Sequence, residues 1–363
     1  MCRWMLLKNV VALALVAGCV AARADQPNVS TLAVVMTNDA QVNQIKVYDA
    51  RTKALVQTLA TDGKGGVGGN ARGVKQLEGE IVAAVNFGSN SVAVFRRHGD
   101  RLRFDKTVTT TSPPVSIDFG NDHMYVAGAT TVDSFELQHG TVGWRDGSAR
   151  LQLVGGGAPP DGSTAQVGVL DNKTLLVTLK TDPDPGTVDV VRLNSRGAVT
   201  DAVIAVSAPA GTLTPFGFSV YPDGTALITL AHSSQDGLFR NGAFAAVIEA
   251  GQGAPCWTTR VGKYVFSANT ASQTISRLAS TGANVFVDQP IAAQIPGGSP
   301  SDIDADKGVM GVIDHGGGQS HLTLLAYNVF GELTSGGAAI NIGVTNANGV
   351  AILGATSRER DRN

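Results

Sequence analysis

The stretch CWTTRVGKYVFSANTASQTISRL, residues 256–278, decides the fold because it is the clearest copy of a unit that the chain repeats. One apolar run, 256–261, reaches a turn at Gly262, and a second run follows at 264–268. A polar loop then leads to a third run at 274–278. Short β-rich runs separated by Gly, Asn and Ser indicate an antiparallel meander. Apolar side chains occur on both faces of these strands, so we expect both faces of the sheet to be covered.

The third run of each unit, here called strand C, recurs along the chain. It begins near residues 45, 91, 131, 187, 236, 273 and 321, with spacings that average about 46 residues, as in a four-stranded propeller blade. The N-terminal unit offers three strands, and one spare strand lies at 349–353. We therefore predict an all-β, seven-bladed β-propeller of four-stranded antiparallel blades, in which the spare strand completes blade one and closes the ring.

Some strands are less well marked than others. The fourth strand of blade three falls within 141–153, and the third strand of blade five is short, at 237–240. The fourth strand of blade seven is predicted as one continuous run over 333–340.

Residues 1–24 have the form of a signal peptide, with an apolar run at 10–17 and the sequence Ala-Arg-Ala at 22–24. A single propeller domain then occupies 25–363. Val-Ala-Gly-Cys, ending at Cys19, also resembles a lipobox, in which the cysteine would be lipidated. Both interpretations predict export, to the periplasm or outside the cell, with a lipid anchor in the second case. No later segment has the ~20 apolar residues of a membrane span.

Composition restricts the classes of partner. The formal net charge is −2, and it becomes −5 when residues 1–24 leave, because three cations and no acids are lost. Nucleic acid is therefore not expected as a partner. Cys256 is the one cysteine beyond residue 24, so no intrachain disulfide can form. We expect a monomer that needs no cofactor and binds a small molecule, with a protein or glycan as alternative partners.

Two segments carry a resemblance to a known family. FGFSVYPDGTALIT at 216–229 and APCWTTRVGKYVFSANTASQTISRL at 254–278 resemble blades of the lactonase or 3-carboxymuconate cyclase-like family of seven-bladed propellers, which includes bacterial 6-phosphogluconolactonases. The resemblance in blade architecture extends over 25–363. It implies a seven-bladed fold and activity on a lactone or a cyclic acid.

The chain departs from the motif of the phosphogluconolactonase branch. That branch places Gly-Pro-Arg-His before the inner strand of blade five and ends the next strand with Asn-Glu. The matching positions read Thr-Pro-Phe-Gly at 214–217 and Ala-His at 231–232. The Arg, His and Glu that the resemblance implies for binding and proton transfer are therefore substituted.

Blade geometry sorts the histidines between the two faces. The loops that join the second strand to the third (B–C) and one blade to the next (D–A) emerge on one face, here called the channel face. His232, His315 and His321 lie in or beside such loops, whereas His98, His123 and His139 lie at turns of the opposite face. Histidine titrates near neutral pH, so a histidine on the channel face is a candidate for acid–base chemistry.

Asp314-His315, followed by three glycines, is the best local constellation, because a carboxylate can orient an imidazole and glycines let a ligand approach the backbone. Adjacent residues on a strand point in opposite directions, however. We take His232, His315 and Asp314 as candidate catalytic residues. The candidate ligand-binding residues are Arg72, Lys180, Gln235 and Gln319.

Three other features favour structural roles. The glycine-rich segment 63–69 lacks the Gly-Lys-Ser/Thr ending of a phosphate loop and is interpreted as a flexible loop at the channel mouth. The Asp-Pro-Asp-Pro-Gly loop at 182–186 has carboxylates that would suit calcium but also ordinary turn residues, and no metal site is assigned. Cys256, beside Trp257, is expected to be a buried packing thiol.

Two functions remain open. In the first, an exported propeller binds a small acidic or lactone-type molecule on its channel face, with the family's catalytic residues substituted. In the second, the chain is an active lactonase or cycloisomerase on a sugar-acid or aromatic-derived lactone. The substituted motif favours the first, and the fold resemblance favours the second.

Overall fold

The computed structural model describes residues 30–152, 163–180, 184–281, 284–295, 297–334 and 337–354. The predicted signal peptide with Cys19, and Asp182 and Pro183 of the 182–186 loop, lie outside these ranges. The described residues form β-strands and two single 3₁₀ turns, Phe87–Ser89 and Ala231–Ser233. Within these ranges, no helix has the length and apolar character needed to cross a membrane.

Seven antiparallel sheets of consecutive strands form the blades of a propeller. Within each blade the strands are lettered A to D from the centre outward. Blade 1 contains β29 (Val350–Leu353), β1 (Leu32–Met36), β2 (Gln44–Asp49) and β3 (Leu55–Ala60). Blade 2 contains β4 (Val74–Leu77), β5 (Ile81–Asn86), β6 (Ser91–His98) and β7 (Arg101–Thr109); blade 3 contains β8 (Pro114–Gly120), β9 (His123–Gly128), β10 (Thr131–Gln138) and β11 (Thr141–Arg150).

The remaining blades follow the same order. Blade 4 contains β12 (Thr164–Val169), β13 (Thr174–Leu179), β14 (Thr187–Leu193) and β15 (Val199–Ser207); blade 5 contains β16 (Pro215–Val220), β17 (Ala226–Leu230), β18 (Gln235–Arg240) and β19 (Ala243–Glu249). Blade 6 contains β20 (Pro255–Val261), β21 (Tyr264–Asn269), β22 (Thr274–Ser280) and β23 (Val285–Gln294). Blade 7 contains β24 (Ser299–Asp306), β25 (Val309–Gly316), β26 (Gln319–Tyr327), β27 (Leu333–Thr334) and β28 (Ile340–Asn341).

The predicted seven-bladed fold is confirmed, with two corrections at strand level. The outer edge of blade 7 consists of two short strands, β27 and β28, which both pair with β26, rather than one run over 333–340. Gly337 lies between them with a φ of +74°, which an extended strand does not accommodate. In blade 5 the third strand already begins at Gln235.

The C-terminal strand closes the ring as predicted. Strand β29 pairs antiparallel with β1, from Leu32 opposite Leu353 to Val35 opposite Val350. On its other edge three aspartates of β24 accept the free backbone N–H groups of Val350, Ile352 and Gly354 at 3.1, 2.8 and 2.9 Å. The aspartates are Asp302, Asp304 and Asp306. An edge that would otherwise lack partners is thereby satisfied.

The core lies between neighbouring blades, because their strands carry apolar residues on both faces. Phe218 of β16, for example, is fully buried in a cluster with Leu176 of β13 and Val188 of β14. Burial of this kind contributes about 25 cal/mol per Å² of apolar surface. Each blade is therefore held by its two neighbours, and the loops at the two ends of the channel remain available for function.

Candidate functional site

The glycine-rich segment between blades 1 and 2 closes the channel on the channel face. Asn70 is fully buried there: its Nδ2 donates to the Val115 carbonyl of blade 3 at 2.6 Å, and its own carbonyl accepts from Trp257 Nε1 of blade 6 at 2.8 Å. Asn348, just before β29, donates to Asn70 Oδ1. One residue thus joins distant parts of the ring. We call residues 61–73 the plug.

Further contacts hold the plug in place. The backbone N–H of Ala71 donates to the Ala165 carbonyl of blade 4 at 3.0 Å, and the Ala71 side chain packs in a cluster that includes Phe216. Asn38 Nδ2 donates to the Val67 carbonyl at 2.7 Å. The expectation of a flexible loop at the mouth is therefore wrong, because these backbone groups are bonded to several blades.

Arg72, the proposed anion-binding residue at the end of the plug, lies within the ring. Its Nη2 donates to the Phe218 carbonyl at 3.2 Å, and its Nη1 lies 3.7 Å from Asp118 Oδ1. Lys75 of β4 lies at 3.7 Å from the same oxygen. A guanidinium in this position links blades 2, 3 and 5.

The other candidate ligand-binding residues are spread around the face. Lys180 Nζ donates to the Gly68 carbonyl at 2.6 Å and so contacts the plug. Gln235 Nε2 donates to Glu249 Oε1 of the same blade at 2.7 Å, and Gln319 begins β26 on blade 7. His232 is exposed in the Ala231–Ser233 turn of blade 5. Blades 4, 5 and 7 therefore each carry part of this set.

Asp314 lies next to an imidazole, but that imidazole belongs to His321. Asp314 Oδ1 lies 3.2 Å from His321 Nδ1, and Thr323 Oγ1 donates to Asp314 Oδ2 at 3.2 Å. The Asp314 side chain is fully buried, whereas that of His321 is 21% exposed. Burial raises the pKa of Asp314, while the Thr323 hydroxyl and the charge of His321 act in the opposite direction.

His315 points toward the other side of the blade. Its Nδ1 lies 3.0 Å from Ser320 Oγ, and burial lowers its pKa. Strand alternation is the reason, because neighbours on β25 face opposite sides. The sequence did contain a signal for the true partner: a two-residue turn at Gly317 and Gly318 places residue 314 opposite residue 321.

Glycines let the blade 6–7 connection lie directly against this pair. A side chain at Gly297 would place its Cβ 2.7 Å from Asp314 Oδ1. Cβ atoms at Gly298 and Gly316 would overlap the backbone of His315 and Gly297. The close approach of two backbones beside a buried carboxylate therefore requires these three glycines.

Two aromatic side chains, Phe216 and Trp257, lie in the region where the family resemblance leads us to expect its motif. Phe216 packs edge-on against Trp257 with ring centroids 5.4 Å apart. Both rings are buried in one apolar cluster with Ala71 of the plug. Cys256 is half-buried beside them, and burial raises its thiol pKa to about 11, as suits a packing residue. Within the part of the chain that the structure describes, no group of three or more His, Cys, Asp or Glu side chains is placed to hold a metal ion.

Comparisons with known proteins agree with the architecture. No family model matches the chain, and no curated protein matches it. A candidate 6-phosphogluconolactonase from Bacteroides uniformis superposes with a TM-score of 0.66 at 15% identity, covering 89% of this chain and 99% of that one. The periplasmic gluconolactonase of Pseudomonas aeruginosa superposes with a TM-score of 0.63 at 14% identity, covering 90% and 100%.

A third solved structure, a candidate 6-phosphogluconolactonase from Bacteroides fragilis, gives a TM-score of 0.62 at 14% identity, covering 89% of this chain and 98% of that one. At such identities the likeness establishes the fold. The chain is a seven-bladed β-propeller with the architecture of these lactonase-like proteins.

Proposed function

We propose that this chain is an exported, lactonase-like propeller that binds a small acidic or lactone-type molecule on its channel face, beside Asp314 and His321. The pair itself carries the proposal. A buried carboxylate holds His321 Nδ1 and leaves the partly exposed ring to face a ligand with Nε2. An imidazole whose Nδ1 is held by a carboxylate presents Nε2 to a ligand, where it accepts from a hydroxyl when neutral and donates to a carboxylate or carbonyl oxygen when protonated.

The plug limits where such a ligand sits. Asn70 and Ala71 fill the axis of the ring with buried, hydrogen-bonded groups. The ligand therefore lies at the mouth, over blades 6 and 7, rather than deep in the channel. A shallow site of this kind suits a small molecule. His232 and His315, on the same face, are proposed as secondary contacts.

Export belongs to the same proposal. Residues 1–24 have the composition of a signal peptide, with cleavage before Asp25 or lipidation at Cys19 as the two forms. One of the structural relatives is a periplasmic protein by name. Intact mass of the protein purified from its own host distinguishes the two forms, and a chain that still begins at Met1 would contradict both.

Binding is tested by calorimetry and thermal shift with gluconate, 6-phosphogluconate and δ-gluconolactone. We expect His321→Ala to weaken binding at least about tenfold, since a hydrogen bond to a charged group contributes ~1.5–3 kcal/mol. His232→Ala and His315→Ala test the secondary contacts. His98→Ala, on the opposite face, is the matched control and should leave affinity unchanged; equal loss in that variant would place the site at the wrong end of the propeller.

The same pair favours lactone hydrolysis as the second candidate. Neutral His321 Nε2 would take a proton from water while the water oxygen attacks the lactone carbonyl carbon. The ring C–O bond then breaks, and the imidazolium returns the proton to the leaving ring oxygen, giving the open hydroxy acid. Asp314 Oδ1, 3.2 Å from His321 Nδ1, holds the ring in the orientation that this proton transfer needs. Turnover in a pH-stat that His321→Ala abolishes would support the enzyme, whereas a thermal shift without turnover would support the binder.

A further inference from the structure

A groove on the outer rim runs between blades 2 and 3. Strand β7 supplies one wall, with residues 106–109, and β11 supplies the other, with residues 143–145. The cavity has a volume of about 630 Å³, which falls within the ~300–1,000 Å³ of small-ligand sites. Lys106 Nζ crosses the groove and donates to the Val142 carbonyl at 2.9 Å, so the two walls are held together.

Trp144 stands at the edge of this groove with 91% of its surface exposed. Strand β11 pairs with β10, and the register shifts between two of the pairs, Phe135 with Arg145 and Leu137 with Val142. One residue of β10 therefore lies opposite two residues of β11. Gly143 and Trp144 therefore form a bulge, and bulges change the direction in which a side chain points. Exposing an indole ring to water is unfavourable, and a ring exposed in this way can stack against the flat face of a ligand.

The polar groups of the groove favour an anion. Its lining residues contain two cations, Lys106 and Arg145, and no carboxylate. Arg145 Nη1 donates to Thr111 Oγ1 at 2.8 Å and lies 4.0 Å from buried Asp133, so its position is fixed. Thr107 and Thr109 add hydroxyls that can donate and accept.

We propose that this groove binds an acidic oligosaccharide, such as a short chain of uronic acids. The indole face of Trp144 covers the C–H face of a sugar ring, Lys106 and Arg145 bind its carboxylates, and the threonine hydroxyls bind its hydroxyls. A single aromatic platform among cations and hydroxyls lacks the contiguous apolar centre of a protein interface. The site lies on the rim and is independent of the ligand proposed for the channel face.

The test uses the mature chain from residue 25, in which Trp144 and buried Trp257 are the two tryptophans. Titration with trigalacturonate should change Trp emission in a saturable way, and maltotriose, a neutral trisaccharide, should bind at least tenfold more weakly. By calorimetry, Trp144→Ala should abolish binding and Trp144→Phe should retain part of it. Lys106→Gln and Arg145→Gln should each weaken it at least tenfold, with less dependence on salt.

Phe286→Ala, which removes a partly exposed aromatic from the outer strand of blade 6, is the matched control and should bind like the parent protein. His321→Ala should do the same, which separates this site from the channel face. The proposal is overturned if trigalacturonate, trimannuronate and a hyaluronan tetrasaccharide all fail to bind. Unchanged affinity in folded Trp144→Ala, or equal competition by an acidic peptide or by anionic vesicles, overturns it as well.

Discussion

Two glycine-rich segments on the channel face have similar composition and opposite surroundings. In the plug, a Cβ at Gly65 would lie 2.5 Å from the carbonyl carbon of Asn38, and neighbouring Val67 is buried. In the blade 7 hairpin, nothing lies within 4 Å of a Cβ at Gly317 or Gly318. The first glycines allow backbones to pack against each other, and the second only allow φ values of +60° and +75°. A high glycine content therefore indicates a backbone conformation or contact that other residues would not allow. It does not distinguish a packed segment from an open turn.

The largest effect should follow from opening the ring at its closing strand. Deleting residues 349–363 removes β29, whose residues Val350, Ile352 and Leu353 contribute about 1.5–3 kcal/mol each if fully buried. It also removes one of the two partner strands of β1 and the N–H groups that three aspartates on β24 accept. The total rivals the ~5–15 kcal/mol of a typical domain, so we expect misfolding or aggregation in size-exclusion chromatography. A soluble product with the parent melting temperature would contradict ring closure.

A side chain inside the plug should have the next largest effect. Gly65→Val places atoms against the Asn38 backbone, which cannot move as a flexible side chain would. We expect a loss of about 3 kcal/mol, at the upper end of the range for overpacking, measured by urea unfolding. Hydrogen exchange at Asn70 and Ala71 should increase in the same variant. Unchanged exchange there would mean that the plug is not held by these contacts.

Close packing also affects ionisation, and Asp236 of β18 is the clearest case. Neither carboxylate oxygen of Asp236 has a hydrogen-bond partner among the described residues. The same is true of the Tyr221 hydroxyl, and burial together with the charge of Asp236 raises the pKa of Tyr221. Asp133 and Asp189, on strand C of blades 3 and 4, accept backbone N–H groups of Thr111 and Gln152 from the preceding loops. Burial raises the pKa of Asp236 to about 7.

The sign of the pH effect follows from this shift. A folded-state pKa above the unfolded value of ~3.9 gives stability that is present below about pH 4 and is lost as pH rises through about 7. Asp236→Asn removes the ionisable group. We therefore expect the melting temperature of the variant, relative to the parent protein, to rise by several degrees between pH 4 and pH 8, equivalent to about 4 kcal/mol at ~1.4 kcal/mol per pH unit. A constant difference across this range would contradict a raised pKa.

The smallest effect should come from the open turn. Gly317→Ala meets no neighbouring atoms but keeps a positive φ, so we expect a loss of about 1 kcal/mol. Urea unfolding of this variant beside Gly65→Val measures the difference between the two segments directly. Equal destabilisation would mean that backbone conformation, rather than packing, sets the cost in both.

Some of the candidate site was accessible from the sequence. The face assignment of His315 and His321 followed from strand order, and the opposition of residues 314 and 321 follows from a two-residue turn. The role of Arg72 was not accessible, because its partners Asp118 and Phe218 lie 46 and 146 positions away. Such long-range contacts depend on how blades 2, 3 and 5 meet at the axis, and no local pattern encodes that.

The sequence by itself determined the number of blades, the strand order and the closing role of residues 350–353, because each depends on short-range periodicity that repeats seven times. Tertiary structure alone decided that the glycine-rich segment fills the channel and that Arg72 bonds to blades 3 and 5. It also decided that Trp144 remains in water. The physical reason is that strand periodicity is set within a few residues by sterics and burial, whereas the surroundings of a loop are set by whichever distant backbone groups still need hydrogen-bond partners.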